Sequence, residues 1–417
     1  MNRIQLLWVM YEAVADGCLD GNTAQNEGRT GSIRSANATE VQRASSTVSS
    51  PGPDDSGNPP VSSGWGEPRA GGSGAMLRDV AALLERLRSL PRVRIALHLT
   101  GRTLDQIAAS RVLTGAVREA VERDQLELIA GGYLAPLFPA LPEHDAVVQL
   151  RSSAQRVLEI TGRSARGVWV SGKVWDPTLI ALFSRCGFEY TLLDARQIET
   201  GMARAGQADG LFALEKTGFM IQAFALDGPL SRTIGQDAPE DWLAQLASRA
   251  DRNDTVVACA VALEDLLRSS DRFTWLKRLL TRTEECAHWL ELHTPGRMLE
   301  SAPHRGRAYP PACMPEEMAA RAVPPEVVRA QERARAVLEP AGETLPMSAV
   351  CACGWELFLV RYPELNVLHK RMLFVSGRLQ RVARIVGERR ARGEDMSAFV
   401  GAIERAQRSL FEAQSHA

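Results

Sequence analysis

Lysine is nearly missing from this chain. Of 49 basic residues only Lys173, Lys216, Lys277 and Lys370 are lysines, and the rest are arginine. Set against 50 acidic residues, the formal net charge is −1. Such a balance gives no electrostatic reason to expect nucleic acid or an anionic membrane as partner. Long apolar runs are scarce as well. The first residues, MNRIQLLWVMYEAVADG, hold one short apolar stretch that ends at Glu12. This is short for a signal-peptide core and far short of a membrane span, so a cytoplasmic location is expected. Cysteine is sparse and odd in number, with seven scattered residues that fall mostly in apolar runs. That pattern argues against a disulfide framework and for a reducing compartment. Cys351 and Cys353 form a C-x-C without a second pair at metal-like spacing, and read as two small buried thiols. There is no Walker loop, no G-x-G-x-x-G after a strand and no H-E-x-x-H. No metal or cofactor is expected.

What remains is an ordinary globular composition, 45% apolar and 24% charged, over 417 residues. That length suits two domains or one large barrel with an appendage. Residues 3–10 read as one buried strand, so residues 1–20 offer a candidate first barrel strand. Residues 21–75 are dominated by Ser, Gly, Asn, Thr, Pro and Ala and read as a disordered low-complexity insertion, too poor in large apolar groups to offset its conformational entropy. The glycosylation pattern at Asn37 is discounted without a secretory signal.

From Met76 strands and helices alternate. Strands are expected at 93–98, 126–130, 167–170, 188–193, 219–225 and 255–261, with an eighth apolar run at 288–292. Helices are expected near 77–89, 103–124, 143–160, 177–185, 239–249 and 264–283. Strands separated by helices of this length imply a parallel sheet with crossover helices. The fold class is α/β, an incomplete seven-stranded (β/α) barrel over 76–324. Helical periodicity without strand signals marks 325–417 as a helical region, with helices at 325–338, 355–360, 365–385 and 396–413.

Several blocks in order carry a resemblance. They are LHLTGRTLDQI at 97–107, LELIAGGYLAPLFPALPEHD at 126–145, RGVWVSGKVWDP at 166–177, GRAYPPACMPEEMAARAVPPE at 306–326 and GWELFLVRYPELNVLHKRMLFVS at 354–376. Together they resemble glycoside hydrolase family 57, in its α-amylase and 4-α-glucanotransferase branch. The resemblance covers about residues 77–385 and implies the same incomplete barrel followed by helices.

It also implies where the chemistry should sit. The family's nucleophilic glutamate falls at Gly172. Its acid/base aspartate falls in the stretch ACAVALEDLL, where the two aspartate positions are Val261 and Ala262. The family glutamate after the Gly-Gly block is Ala135. Retaining glycosidases need two carboxyl groups about 5–5.5 Å apart, and none of these residues carries one. Asp176, Asp194, Glu199 and Glu264 are the nearest substitutes at strand ends. Asp176 before Pro177 is read first as a helix cap, and Glu264 as a solvated first-turn acid. Asp194 is a candidate pocket residue. Trp169, Trp175 and Tyr133 are candidate sugar-stacking rings at the mouth, weighed against core packing. His98 is read as a satisfied core histidine. Lys173 is either solvated, paired with an acid, or an anion ligand.

Three functions stay open on these residues. One is a catalytically silent protein that binds an α-glucan or maltooligosaccharide, or regulates carbohydrate metabolism. A second is a divergent amylase or glucanotransferase with relocated carboxylates. The third is a structural interaction scaffold.

Overall fold

The computed structural model describes residues 3–13, 73–202, 208–249, 255–267, 270–338, 340 and 354–415. The expectations for residues 21–72, including Asn37, and for Cys18, Cys351 and Cys353 lie outside the described residues.

Among the described residues ten strands form one sheet: β1 (Ile4–Tyr11), β2 (Ile95–His98), β3 (Leu126–Ile129), β4 (Gly167–Val168), β5 (Tyr190–Asp194), β6 (Leu211–Lys216), β7 (Phe219–Leu226), β8 (Thr255–Ala262), β9 (Leu290–His293) and β10 (His304–Ala308). Seven of them run parallel around a nearly closed barrel, in the order β1-β2-β3-β4-β5-β7-β8. Two seams are thin. β3 and β4 meet through the single bridge Ala130↔Val168, and β7 meets β8 only at Leu226↔Ala258. β6 turns back antiparallel on β7 and carries β10 outside the ring, while β9 pairs with the start of β1.

The N-terminal strand lies at the centre of the sheet. β1 pairs with β8 along its whole length, from Ile4↔Thr255 to Tyr11↔Ala262. Its alternating residues serve two cores. Ile4, Leu6, Trp8 and Met10 pack against the outer helices, with Trp8 stacked on Trp242 at 6.1 Å. Leu7 and Val9 fill the barrel interior with Ile129, Leu192, Phe224 and Ala258. A strand buried on both faces must read as a continuous apolar run, which IQLLWVM nearly is.

The barrel floor is closed by the short helix Pro295–Met298. Half-buried Glu127 accepts from the Gly296 N–H and the Tyr190 hydroxyl, both at 2.8 Å. Burial raises its pKa against these hydrogen bonds.

After the barrel come the helices Glu316–Ala322, Pro325–Leu338, Leu357–Arg361, Pro363–Ala391 and Ser397–Ala413. They touch the barrel at few points. His369 Nε2 bonds the Ala140 carbonyl at 2.8 Å, and Ser376 Oγ bonds His144 Nε2 at 2.9 Å. Buried Gln414 lies between Gln149 and Asp145.

Some expected elements differ. The helix expected at 103–124 is two helices, Gly101–Ala109 and Arg111–Glu122. Ser110 divides them by accepting the Leu113 N–H at 3.3 Å. The first outer helix begins at Ser73, not 77. The expected strands do not include β6 or β10.

Candidate active site

The C-terminal ends of β1, β5 and β8 converge on a cavity of about 280 Å³, near the lower end of ligand-cavity sizes. Tyr11, Asp194, Val261 and Ala262 lie on its wall, each at the last turn of its strand. Lys173 enters from the turn after β4, and Pro315 and Glu317 enter from the segment after the barrel. Functional residues collect at this face in barrel enzymes because the loops there are free to vary. A larger cavity, about 460 Å³, lies where β7 and β8 barely pair, and includes Glu199 but not Asp194 or Lys173.

The turn at Ser171–Lys173 is bent unusually hard. Gly172 has φ 62° and Lys173 φ 52°, both left-handed. Glycine accepts this without cost, whereas lysine does not. Buried Gln197 anchors the turn by donating to the Lys173 carbonyl at 2.8 Å, and its other end accepts from the Asp194 N–H. Below the turn, Trp175 and Cys313 exchange backbone hydrogen bonds of 2.9 Å in both directions. Val174 packs with Met314, Ala319 and Trp355 from the segments after the barrel strands. The turn is thereby clamped between the barrel and the segment that follows it.

The cavity is electrically mixed. Burial lowers the Lys173 pKa; Asp194 and Glu317 oppose that effect and Arg232 adds to it. Burial pushes the Tyr11 hydroxyl up to about 12, helped by Asp265, Glu264 and Glu317, so it stays protonated. Glu264 is raised to about 7, first by burial and further by Glu12. Glu12 is raised by burial too, although it accepts from the Thr100 N–H at 2.8 Å and from the Thr100 and Thr103 hydroxyls. It caps the helix Gly101–Ala109 in place of the Thr100 side chain.

Each substitute acid has a main-chain partner. Asp176 accepts from the Thr178 N–H at 2.7 Å, a local turn just ahead of the helix Leu179–Arg185. Asp194 accepts from Arg196 N at 3.0 Å in a capping box. Glu199 accepts from Ala208 N at 3.0 Å, and Glu264 from Ala13 N at 2.9 Å.

Of the aromatic candidates, none lies on the cavity wall. Trp169 is 3% exposed and stacks on Tyr11 at 4.5 Å, so Tyr11 is the ring that reaches the cavity. Trp175 is 1% exposed, with Nε1 donating to the Pro310 carbonyl at 3.2 Å, and it belongs to the core. Tyr133 covers Gly101 and bonds Asp105 away from the cavity. Trp169 and Trp175 are thus buried rings, and Tyr133 is half-buried in the turn after β3. Ala135 is buried with φ 48°.

His98 needs correction. It is fully buried, but neither ring nitrogen has a hydrogen-bond partner among the described residues. Nε2 occupies the space that a side chain at Gly131 would fill, and the Trp169 ring lies 6.3 Å away. Burial without compensation lowers its pKa to about 3, so it stays neutral.

Tyr11, Glu12, Arg232 and Glu317 were not among the sequence candidates. Glu12 offered a signal, an acid directly after a buried strand. Glu317 offered none, since only the Trp175–Cys313 clamp brings it to the mouth.

The sequence pattern of Glycosyl hydrolase family 57 matches residues 77–312. The chain belongs to that family. Among its relatives, Alpha-amylase 1 of Dictyoglomus thermophilum is 24% identical over 270 residues, which is 62% of this chain and 39% of the relative. The 4-alpha-glucanotransferase of Thermococcus kodakarensis is 24% identical over 314 residues, 72% of this chain and 47% of the relative. The chain thus spans less than half the length of these relatives. The crystal structure of 4-alpha-glucanotransferase from Thermococcus litoralis aligns with a TM-score of 0.69 at 20% identity, over 91% of this chain and 53% of that one. That likeness supports the family fold. Among the described residues no helix is long and apolar enough to cross a membrane.

Proposed function

We propose that this family 57 member is a catalytically silent, cytoplasmic protein that lodges an α-glucan or maltooligosaccharide end at the barrel mouth, in a regulatory role in carbohydrate metabolism. One observation carries the reading: every substitute acid is already held by a main-chain N–H, at Thr178, Arg196, Ala208 or Ala13. A carboxylate held by a main-chain N–H is poorly placed to attack an anomeric carbon or to pass a proton to a glycosidic oxygen. Gly172, Val261 and Ala262 supply no acid in the positions that the family resemblance assigns to its carboxylates. The amylase and glucanotransferase relatives support an α-glucan as the ligand class. The domain reading, a barrel over 76–324 with helices over 325–417, belongs to the same proposal. Binding of maltotriose by calorimetry, together with unchanged maltooligosaccharides after prolonged incubation, is the expected outcome. Hydrolysis or chain transfer that co-purifies with the protein overturns it.

A second reading has its own observation. Glu264, with its pKa near 7 and Glu12 close enough to raise it, has the proton affinity of a general acid/base. On this reading the protein is a divergent amylase or glucanotransferase with relocated carboxylates. Activity on maltoheptaose that disappears in Glu264→Gln would favour it. Wild-type protein without activity removes it.

A further inference from the structure

Lys173 is unlike the other lysines. Lys216, Lys277 and Lys370 are exposed. Lys173 is half-buried, sits on a left-handed backbone and points into the mouth cavity, 6.0 Å from the centre of the Tyr11 ring. Its Nζ forms no hydrogen bond or ion pair among the described residues, although Asp194 and Glu317 line the same cavity. A backbone strained at one residue persists only where the surroundings enforce it, and such residues gather at functional positions. Here Gln197 and the Trp175–Cys313 clamp do the enforcing.

We propose that Lys173 is a nucleophilic amine that captures the aldehyde of a small carbonyl ligand, such as an open-chain sugar, as a reversible imine. The geometry provides an amine with no hydrogen-bond or ion-pair partner among the described residues, lying over the Tyr11 ring at the wall of a cavity that Val261 and Ala262 share with Asp194, Arg232 and Glu317. Removal from water favours the neutral amine, the form that attacks. In the step, the nitrogen lone pair forms a C–N bond to the carbonyl carbon while the C=O π pair moves to oxygen. That oxygen takes up a proton, nitrogen loses one, and departure of water leaves C=N. One water is released and nothing is oxidised or reduced. The proposal goes beyond glucan binding and does not depend on it.

The test uses the full chain, glycolaldehyde and cyanoborohydride at neutral pH, with adducts followed by mass spectrometry at each of the four lysines. An inert half-buried lysine reacts more slowly than the three exposed ones; a reactive one outpaces them. Labelling of Lys173 several-fold faster than Lys216, Lys277 and Lys370, lost when the protein is unfolded, is expected. Labelling at an equal or slower rate overturns the proposal. Lys173→Arg keeps the charge and removes the nucleophile, and should leave only the slow labelling of the other three. If that variant does not fold, the wild-type rates at four sites still decide. Failure of maltotriose to bind would sink the glucan reading and leave those rates standing.

Discussion

The barrel and the helices after it are built on opposite terms. In β1 and β8 nearly every side chain is buried, and each strand serves both the interior and the outer helices. The helix Pro325–Leu338 buries nothing, and the 29-residue helix Pro363–Ala391 buries only Ser376 and Val386. Its Val367, Leu368, Phe374, Val375, Val382 and Ile385 are all at least 47% exposed. The barrel draws its stability from apolar area removed from water. The helices are held to it by one small apolar cluster, in which Val174 meets Ala319 and Trp355, and by polar contacts at His369, Ser376 and Gln414. A single substitution should therefore have very different consequences in the two regions.

The largest effect is expected at Trp8. It is fully buried and stacked on Trp242. Trp8→Ala should cost about 3–5 kcal/mol, as large-to-small changes in aromatic cores do, read from urea denaturation. It would also disturb β1, the strand that brings Tyr11 to the mouth. A loss below about 1 kcal/mol would mean that β1 is not integral to the barrel.

Next is Gln414, whose amide joins Gln149 and Asp145 in a buried network. Gln414→Leu leaves those groups unsatisfied, at about 1–3 kcal/mol. The loss should appear as faster hydrogen exchange in Ser397–Ala413 with the barrel strands unchanged. Equal acceleration in β1 and β8 would show that the two regions unfold as one.

This contrast also explains what could be read from the sequence. A strand buried on both faces has an unmistakable signature, so RIQLLWVM and TVVACAVA were legible even with 14–72 between β1 and the rest. β10 was not, because four of its five residues are exposed and HRGRA has no apolar period. β6 was missed although a turn signal was present: Thr217 and Gly218, both at positive φ, join it to β7 as a tight hairpin. The helix break at Ser110 rests on one hydroxyl bond inside an amphipathic stretch. At the site, Asp194 was legible from its strand-end position, whereas Lys173 drew notice only as the neighbour of Gly172. Trp169 and Trp175 could not be placed, since one residue of register decides whether a ring faces a cavity or a core.

A smaller effect separates the acids that follow β1 and β8 from ordinary surface acids. Glu264 has its pKa raised from 4.5 to about 7, chiefly by burial. A carboxyl whose pKa is raised on folding binds its proton more tightly in the folded state. Its stabilising contribution is complete below about 4.5 and fades as pH rises through about 7. Glu12 shifts in the same direction. Urea midpoints should therefore decline across that window, and Glu264→Gln should flatten most of the slope. An unchanged slope in the variant would assign the pH dependence elsewhere and would weaken the second catalytic reading with it.

The smallest effect should come from the exposed helix face. Phe374 is 61% exposed, with Arg378 over its ring at 5.5 Å. Phe374→Ser removes little buried area and should change stability by less than about 0.5 kcal/mol, the usual range for surface positions away from caps and strained sites. The urea midpoint of the isolated chain measures this directly. A much larger loss would mean that this face is covered in solution, and concentration dependence of the wild-type midpoint would then show whether a second copy covers it. The apolar stripe would in that case be a core completed by association, and the difference between barrel and helices would lie in what each packs against.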